Sequence, residues 1–364
     1  MNRSLIRYDA AIIGGGPAGC FAALLLARAG CSVAVFDHTR PNQMLIGETL
    51  PPAATRIFAE ADLLEWFQKQ SHRPSPGIVS VWGSEEPLAT DYLFSPHGDG
   101  WHIDRSRFNT QFRDVASEAG AQFFHATTLN SWKRSKNATG WVLSTNTGGE
   151  LVCTVLVDAS GRHPSKRLPY PFRITHDRLI AIAGFLEVGP NSQASSDYTM
   201  IEAVRDGWFY SARLPASKLV IAFMTDPDIY AQGIQCSATY LEELIVETNL
   251  TKNRVSLFPA RRRAFSALSM QRMVSAQPNW IAIGDAVQSY DPLTGLGLVN
   301  AMNSAKNAAP VILEMLAGHQ SAGELYQNLQ RQTFSKYLEN RTYYYSLERR
   351  WPESKFWQRR SQSL

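Results

Sequence analysis

Long apolar runs, clustered cysteines and paired histidines are all missing from this 364-residue chain. The longest apolar stretch, Cys20–Phe36, is broken by Arg28, Gly30 and Ser32, so it reads as a helix and a strand, with no membrane span expected. Cys20, Cys31, Cys153 and Cys236 show no CxxC spacing, which excludes a disulfide scaffold and fits a reducing compartment. The eight histidines form no HxH, HxxxH or HExxH pattern, so no metal site is expected. Arg3 and Arg7 are followed only by a short apolar strand that runs into a glycine turn. That is unlike a secretory leader, and a cytoplasmic location is the expectation.

Charge of one sign is also scarce. The net charge is +4, yet outside residues 341–364 the chain carries 30 basic and 30 acidic residues. The basic character is a property of the tail, so a nucleic-acid-binding field is not expected. With 44% hydrophobic and 19% charged residues, disorder and collagen-like structure are excluded, and the length allows two or three domains.

What is present begins at Tyr8–Ile13, an apolar run followed at once by Gly14-Gly15-Gly16-Pro17-Ala18-Gly19. Ala18–Ala29 then reads as a helix that is apolar nearly all round, and Ser32–Phe36 as a second strand ending at Asp37. Strand, GxGxxG, helix and strand, with an acid 18 residues after the last glycine, form a dinucleotide fingerprint. Gly14 permits the tight turn, Gly16 lets the backbone approach a pyrophosphate, and Gly19 lets helix and strand pack closely. Pro17 and Ala18 open the helix, whose free N–H groups favour an anion. Asp37 is placed to accept from ribose hydroxyls.

Near the other end, Asn279–Ile283 reads as a short strand, followed by Gly284-Asp285-Ala286, Pro292, Gly295 and Gly297 and a long helix, Leu298–Leu316. This pattern resembles the second FAD-contact motif of flavoprotein hydroxylases. Leu151–Ser160 with Gly161 and Arg162 is similar to the strand between the two FAD motifs. Together with IGETLPP (46–52), WHIDRSRF (101–108), DGWFYSARLP (206–215), Val220–Asp226 and GDAVQSYDPLTGLG (284–297), it makes the chain resemble the FAD-dependent monooxygenase superfamily. Within it, the likeness is to the branch of halogenases and geranylgeranyl reductases. It is most marked with the flavoproteins that help form cysteine tryptophylquinone in quinoprotein amino-acid oxidases.

That resemblance implies an α/β fold: a Rossmann-like FAD-binding domain (1–82, 101–168 and 262–320) with an inserted antiparallel β-sheet substrate domain (83–100 and 169–261). A C-terminal helical tail (321–364) follows. It also implies FAD contacts at Glu48, Arg105, Asp285, Gly295, Gly297 and Leu298, beside the fingerprint residues. For Arg105 the alternative is a helix-start pairing with Asp104. Trp208, Phe209, Tyr210 and Phe223 either wall a substrate cavity or pack a core. Asp91, His97 and His102 are open to acid–base or structural roles. Arg261-Arg262-Arg263 reads as a solvated charge run, or as a site for phosphate or an acidic partner. The aromatic, basic tail either docks a partner or caps the core.

The chemistry implied is a monooxygenation. FAD is reduced by NAD(P)H, O₂ is the cosubstrate, and an oxygen atom passes to a tryptophan of a partner oxidase precursor. The alternatives are a small-molecule aromatic hydroxylase, a prenyl reductase, or an FAD-binding assembly chaperone without turnover. Halogenases place a lysine just before a Gly-Ile pair. Here Pro74-Ser75-Pro76 precedes Gly77-Ile78, and the halogenase WxWxIP segment would fall on Tyr210, Ala212, Leu214 and Pro215, so halogenation is disfavoured. No catalytic acid or base stands out, as expected where the cofactor carries the reaction.

Overall fold

The apolar run after the first residues forms strand β1 (Ile6–Ile13), followed by helix α1 (Pro17–Arg28) and strand β2 (Val33–Asp37). A computed structural model describes residues 6–38, 43–135, 140–162, 172–189, 196–273, 278–319 and 321–361. Next come β3 (Thr49–Leu50), α2 (Ala53–Glu60), α3 (Leu64–Gln68), β4 (Arg73–Ser75), β5 (Gly77–Val81), β6 (Leu88–Asp91) and β7 (Gly100–His102). Helix α4 (Arg105–Glu118) leads to β8 (Gln122–His125), β9 (Leu129–Arg134), β10 (Trp141–Thr145) and β11 (Glu150–Asp158). The middle of the chain gives β12 (Phe172–Thr175), β13 (Ile180–Glu187), β14 (Thr199–Val204), β15 (Gly207–Leu214) and β16 (Lys218–Thr225). Helices α5 (Pro227–Cys236), α6 (Tyr240–Val246) and α7 (Thr251–Arg254) precede β17 (Arg262–Ser266), β18 (Met270–Met273), β19 (Trp280–Ala282) and β20 (Gln288–Ser289). The chain closes with α8 (Gly297–Leu316), α9 (Ala322–Leu347) and α10 (Lys355–Ser361).

The first sheet has the order β8-β2-β1-β11-β10-β9, with β19 also paired to β11. β11 serves two neighbours along one edge. Its first half pairs antiparallel with β10, across the Gly148-Gly149 turn, and its last three residues pair in parallel with β19. Helix α1 lies on this sheet and packs against α4 and α8. Its buried residues go almost all round, from Ala18 to Leu26, which explains the lack of a polar stripe. Gly30, in the left-handed region, ends it, with the Cys31 N–H donating back to Leu26 C=O at 3.0 Å.

The second sheet runs β17-β13-β16-β15-β14-β5-β6. Its strands are antiparallel neighbours except β14 and β5, which pair in parallel. β5 and β17, within the 1–82 and 262–320 segments expected for the nucleotide-binding domain, both hydrogen-bond into this second sheet. Residues 73–102 contribute the short strands β4, β5, β6 and β7. The expected boundaries at 168/169 and at 320 lie outside the described residues.

Alternation along these strands sorts the aromatic residues. Phe209 and Phe223 face outward and pack with Tyr240, Leu244 and Phe258, beneath α6. Trp208 faces inward and packs with Tyr345, Phe356 and Trp357 of the C-terminal helices. The tail therefore caps the molecule's own core. Three of its arginines are paired with acids of the body as well: Arg360 with Asp226 at 2.7 Å, Arg359 with Asp226 and Asp228, and Arg341 with Asp177 and Asp291. Among the described residues no helix is long and apolar enough to cross a membrane.

Candidate active site

Three strands of the first sheet end level with one another. Ile13 of β1 is opposite Asp158 of β11, and Asp158 is opposite Ala282 of β19. Backbone bonds carry this register one step further, from Ala159 N–H to Ile13 C=O at 2.9 Å and from Ile283 N–H to Asp158 C=O at 2.8 Å. Both glycine corners and the Ala159–Arg162 turn thus emerge at the carboxyl edge of one sheet, where open α/β sheets bind ligands. The two corners are 270 residues apart in sequence (Gly14 and Gly284) and are neighbours in space: a Cβ on Gly284 would lie 2.8 Å from that of Ala18.

The turn is built for close approach. Gly14 has φ +110°, and a Cβ there would meet Ala159 O at 2.3 Å. A Cβ on Gly19 would meet Gly14 O at 1.9 Å, so only glycine lets α1 sit this near β1. Gly16 caps α1 without a side chain, which leaves the first N–H groups of the helix free.

Above this edge lies a cavity of about 450 Å³. Of the residues expected to meet the cofactor, Gly16, Pro17, Ala18, Glu48, Arg105, Asp285, Gly295, Gly297 and Leu298 line it together. Gly14, Gly19 and Asp37 do not. The two glycines shape the turn from behind, and Asp37, buried at the end of β2, is paired with Arg113 of α4 at 3.2 Å. The roof is the inner face of the second sheet: Tyr210, Val220, Ala222, Met224 and Phe265. Of the four aromatics considered for this wall, Tyr210 alone lines it.

Glu48 is the electrostatic centre of the cavity. It is 2% exposed, and burial pushes its carboxyl up to about 7 although the Arg105 guanidinium opposes the shift. One oxygen accepts from Gly47 N–H at 2.9 Å, while Oε1 is buried without a partner. Burial lowers the Arg105 pKa, with Glu48 acting against the shift. Asp104 caps α4, its Oδ1 accepting from Arg107 N–H. Arg105 instead turns toward the cavity and donates to Gly47 C=O at 2.9 Å. Tyr210 OH and Thr49 Oγ1 share a hydrogen bond of 2.7 Å.

These residues fit a flavin dinucleotide. Nothing lies within 4 Å of a Cβ built on Gly16, Gly295 or Gly297, so the three glycines leave an open cradle in one cavity. Glu48 Oε1 and Arg105 Nε are buried polar atoms awaiting partners. In this arrangement the α1 N-terminus would meet the pyrophosphate, Asp285 the ribityl side, and Glu48, Arg105 and the start of α8 the ring.

Sequence reasoning missed three supports. Arg162 clamps Asp285 at 3.0 Å and also donates to Leu268 and Tyr290 carbonyls, tying the Ala159–Arg162 turn to the second corner. Asp291, also bordering the cavity, accepts from Tyr345 OH at 2.8 Å. Arg113 has no local signal at all. Of the acid–base candidates, His102 is buried against Thr199 Oγ1, and burial depresses it to about 4. Asp91 is exposed and bonded to Tyr198, and neither it, His97 nor His102 borders the cavity. Among the described residues there is no cluster able to hold a metal.

Comparison with known proteins places this geometry. The family described as FAD binding domain matches residues 7–339. Over 363 residues the chain is 28% identical to LodB of Marinomonas mediterranea, described as an FAD-dependent oxidoreductase, covering 97% of this chain and 96% of that one. The myxobacterial chondrochloren halogenase CndH superimposes with a TM-score of 0.85 at 21% identity, over 98% of this chain and 86% of its own. QhpG, a peptidyl tryptophan dihydroxylase essential for tryptophylquinone cofactor biogenesis, gives a TM-score of 0.78 at 21% identity, over 98% and 80%. At such identity the two structures share the fold.

Proposed function

The chain belongs to the FAD-binding domain family of oxidoreductases, and from that premise we propose that it is a monooxygenase acting on a tryptophan side chain of a partner protein, an oxidase precursor whose tryptophylquinone is being formed. FAD bound here would supply two-electron chemistry with O₂, drawing its electrons from NAD(P)H. One oxygen atom enters a ring C–H as hydroxyl and the other leaves as water.

The observation that carries the reading is the cavity itself. Its floor joins both glycine corners, its roof is an apolar sheet face, and its cations are Arg105, Arg162 and Arg263. The protein's tasks in such a reaction are to orient the ring and exclude water. Val220, Ala222, Met224 and Phe265 supply the dry wall, and Tyr210, tied to Thr49, marks its polar edge. Glu48 is poised to hold or release a proton near neutral pH, and Arg105 offers positive charge where negative charge develops. No lysine borders the cavity among the described residues, and Lys69 is paired with Glu65 on the surface, which speaks against halogenation despite the shared fold. Support for a protein substrate comes from the peptidyl substrate of QhpG, and support for FAD-dependent oxidoreductase chemistry from the end-to-end likeness to LodB.

The test is co-expression with oxidase precursors and mass measurement of the partner. A gain of one or two oxygen atoms on tryptophan, dependent on this protein, is the expected result. An unchanged mass in every case, with free aromatic compounds hydroxylated instead, would contradict it.

A further inference from the structure

β17 is an outer strand of the second sheet. β13 pairs with one edge, and among the described residues no strand pairs with the other. Side chains alternate along a strand, so a cavity beneath β17 should meet every second residue. Instead Arg263, Ala264, Phe265, Ser266 and Ala267 all border it. The cavity therefore also runs along the strand's unpaired edge.

The ladder fixes which backbone groups point there. Ala267 N–H donates to Leu179 C=O at 3.0 Å, and opposed residues of an antiparallel pair alternate between bonded and unbonded positions. Phe265 and Arg263 therefore bond to Ala181 and Ala183, while Arg262, Ala264 and Ser266 turn their N–H and C=O outward. Arg261, Arg262 and Arg263 are exposed, and no ion-pair partner for them occurs among the described residues. Like charge on an edge prevents two copies from pairing there and leaves it open to a strand of opposite charge.

We propose that this edge captures an extended, acidic segment of the protein substrate, which adds as a further strand and delivers a side chain to the cavity. The proposal rests on the protein-substrate reading above and names its docking surface. Main-chain hydrogen bonds to Arg262, Ala264 and Ser266 fix the register, carboxylates meet the arginines, and alternate residues of the added strand point beneath the sheet beside Phe265.

Two variants test it. Ala264→Pro removes one outward N–H, a change that an edge position tolerates without breaking the ladder to β13. Arg261→Glu with Arg262→Glu reverses the charge outside the cofactor cavity. The probe is a labelled nine-residue peptide of alternating glutamate and threonine with one central tryptophan, read by fluorescence anisotropy. The urea unfolding midpoint serves as the control for folding. The wild-type protein is expected to bind it at least tenfold more tightly than either variant, and to ignore the same peptide with lysine in place of glutamate. No binding by the wild type, or equal binding by the charge-reversed variant, overturns the proposal. Nicotinamide dinucleotide phosphate binding lost in the charge-reversed variant, with peptide binding kept, overturns it in favour of a nucleotide site. A partner protein oxygenated equally by wild type and variants sinks the docking edge and leaves the proposed function standing. A bound peptide with no partner ever oxygenated does the reverse.

Discussion

Glu48 shows what a single side chain can and cannot reveal in sequence. Its place in a Gly-Glu-Thr-Leu-Pro-Pro run marks it for the cavity, but its electrostatics come from burial against Arg105, fifty-seven residues away in the chain. Because its folded pKa of about 7 lies above the ordinary carboxylate value, the sign is the reverse of the usual acid. The folded state binds the proton more tightly. Its contribution is fully present below about pH 4.5 and is lost as pH rises through 7, amounting to roughly 3 kcal/mol over that window. Flavin-free wild-type protein should thus lose stability between pH 5 and pH 8 relative to Glu48→Gln, as measured by urea unfolding. Parallel pH profiles would contradict the burial argument. Gly14, Gly16 and Gly19 were legible because backbone geometry is local. Arg113 and Arg162 were not, because their partners Asp37 and Asp285 are brought to them only by the fold.

At the level of elements, the strands were the most legible part. β1 and β2 appear where their apolar runs and the glycine turn between them place them, since those signals act within a few residues. Sheet membership did not show. Nothing local in Gly77–Val81 says that it pairs in parallel with β14, or in Arg262–Ser266 that it joins β13. The tail was ambiguous for a related reason. Its arginines look like an exposed basic surface until Asp226, from the β16–α5 junction, is seen buried between Arg359 and Arg360. Removing one partner of such a pair leaves the other charge buried and uncompensated. Asp226→Ala, which leaves the buried Arg360 without a counter-charge while Arg359 keeps Asp228, should cost on the order of 3–5 kcal/mol in a denaturant titration. A loss below about 1 kcal/mol would show that α10 is not held by this pair.

On the scale of the whole molecule, two sheets face each other across one cavity. The first sheet brings corners from the two ends of the chain to a single edge, and the second lowers an apolar face over them. The C-terminal helices fasten this arrangement from behind, through Tyr345 to Trp208 on one side and to Asp291 on the other. The central claim is that both corners grip one FAD. Gly16 has φ −80°, and Gly297 begins α8 with open space at its Cβ position, so valine at either place suits the fold and intrudes only on a ligand. The direct measurement is FAD titration by flavin fluorescence on wild type, Gly16→Val and Gly297→Val. Saturable binding by the wild type is expected, with a loss of at least about 100-fold, roughly 3 kcal/mol, in each variant while both variants still unfold cooperatively. Wild-type affinity retained in either variant, or no binding by the wild type, would contradict the central claim.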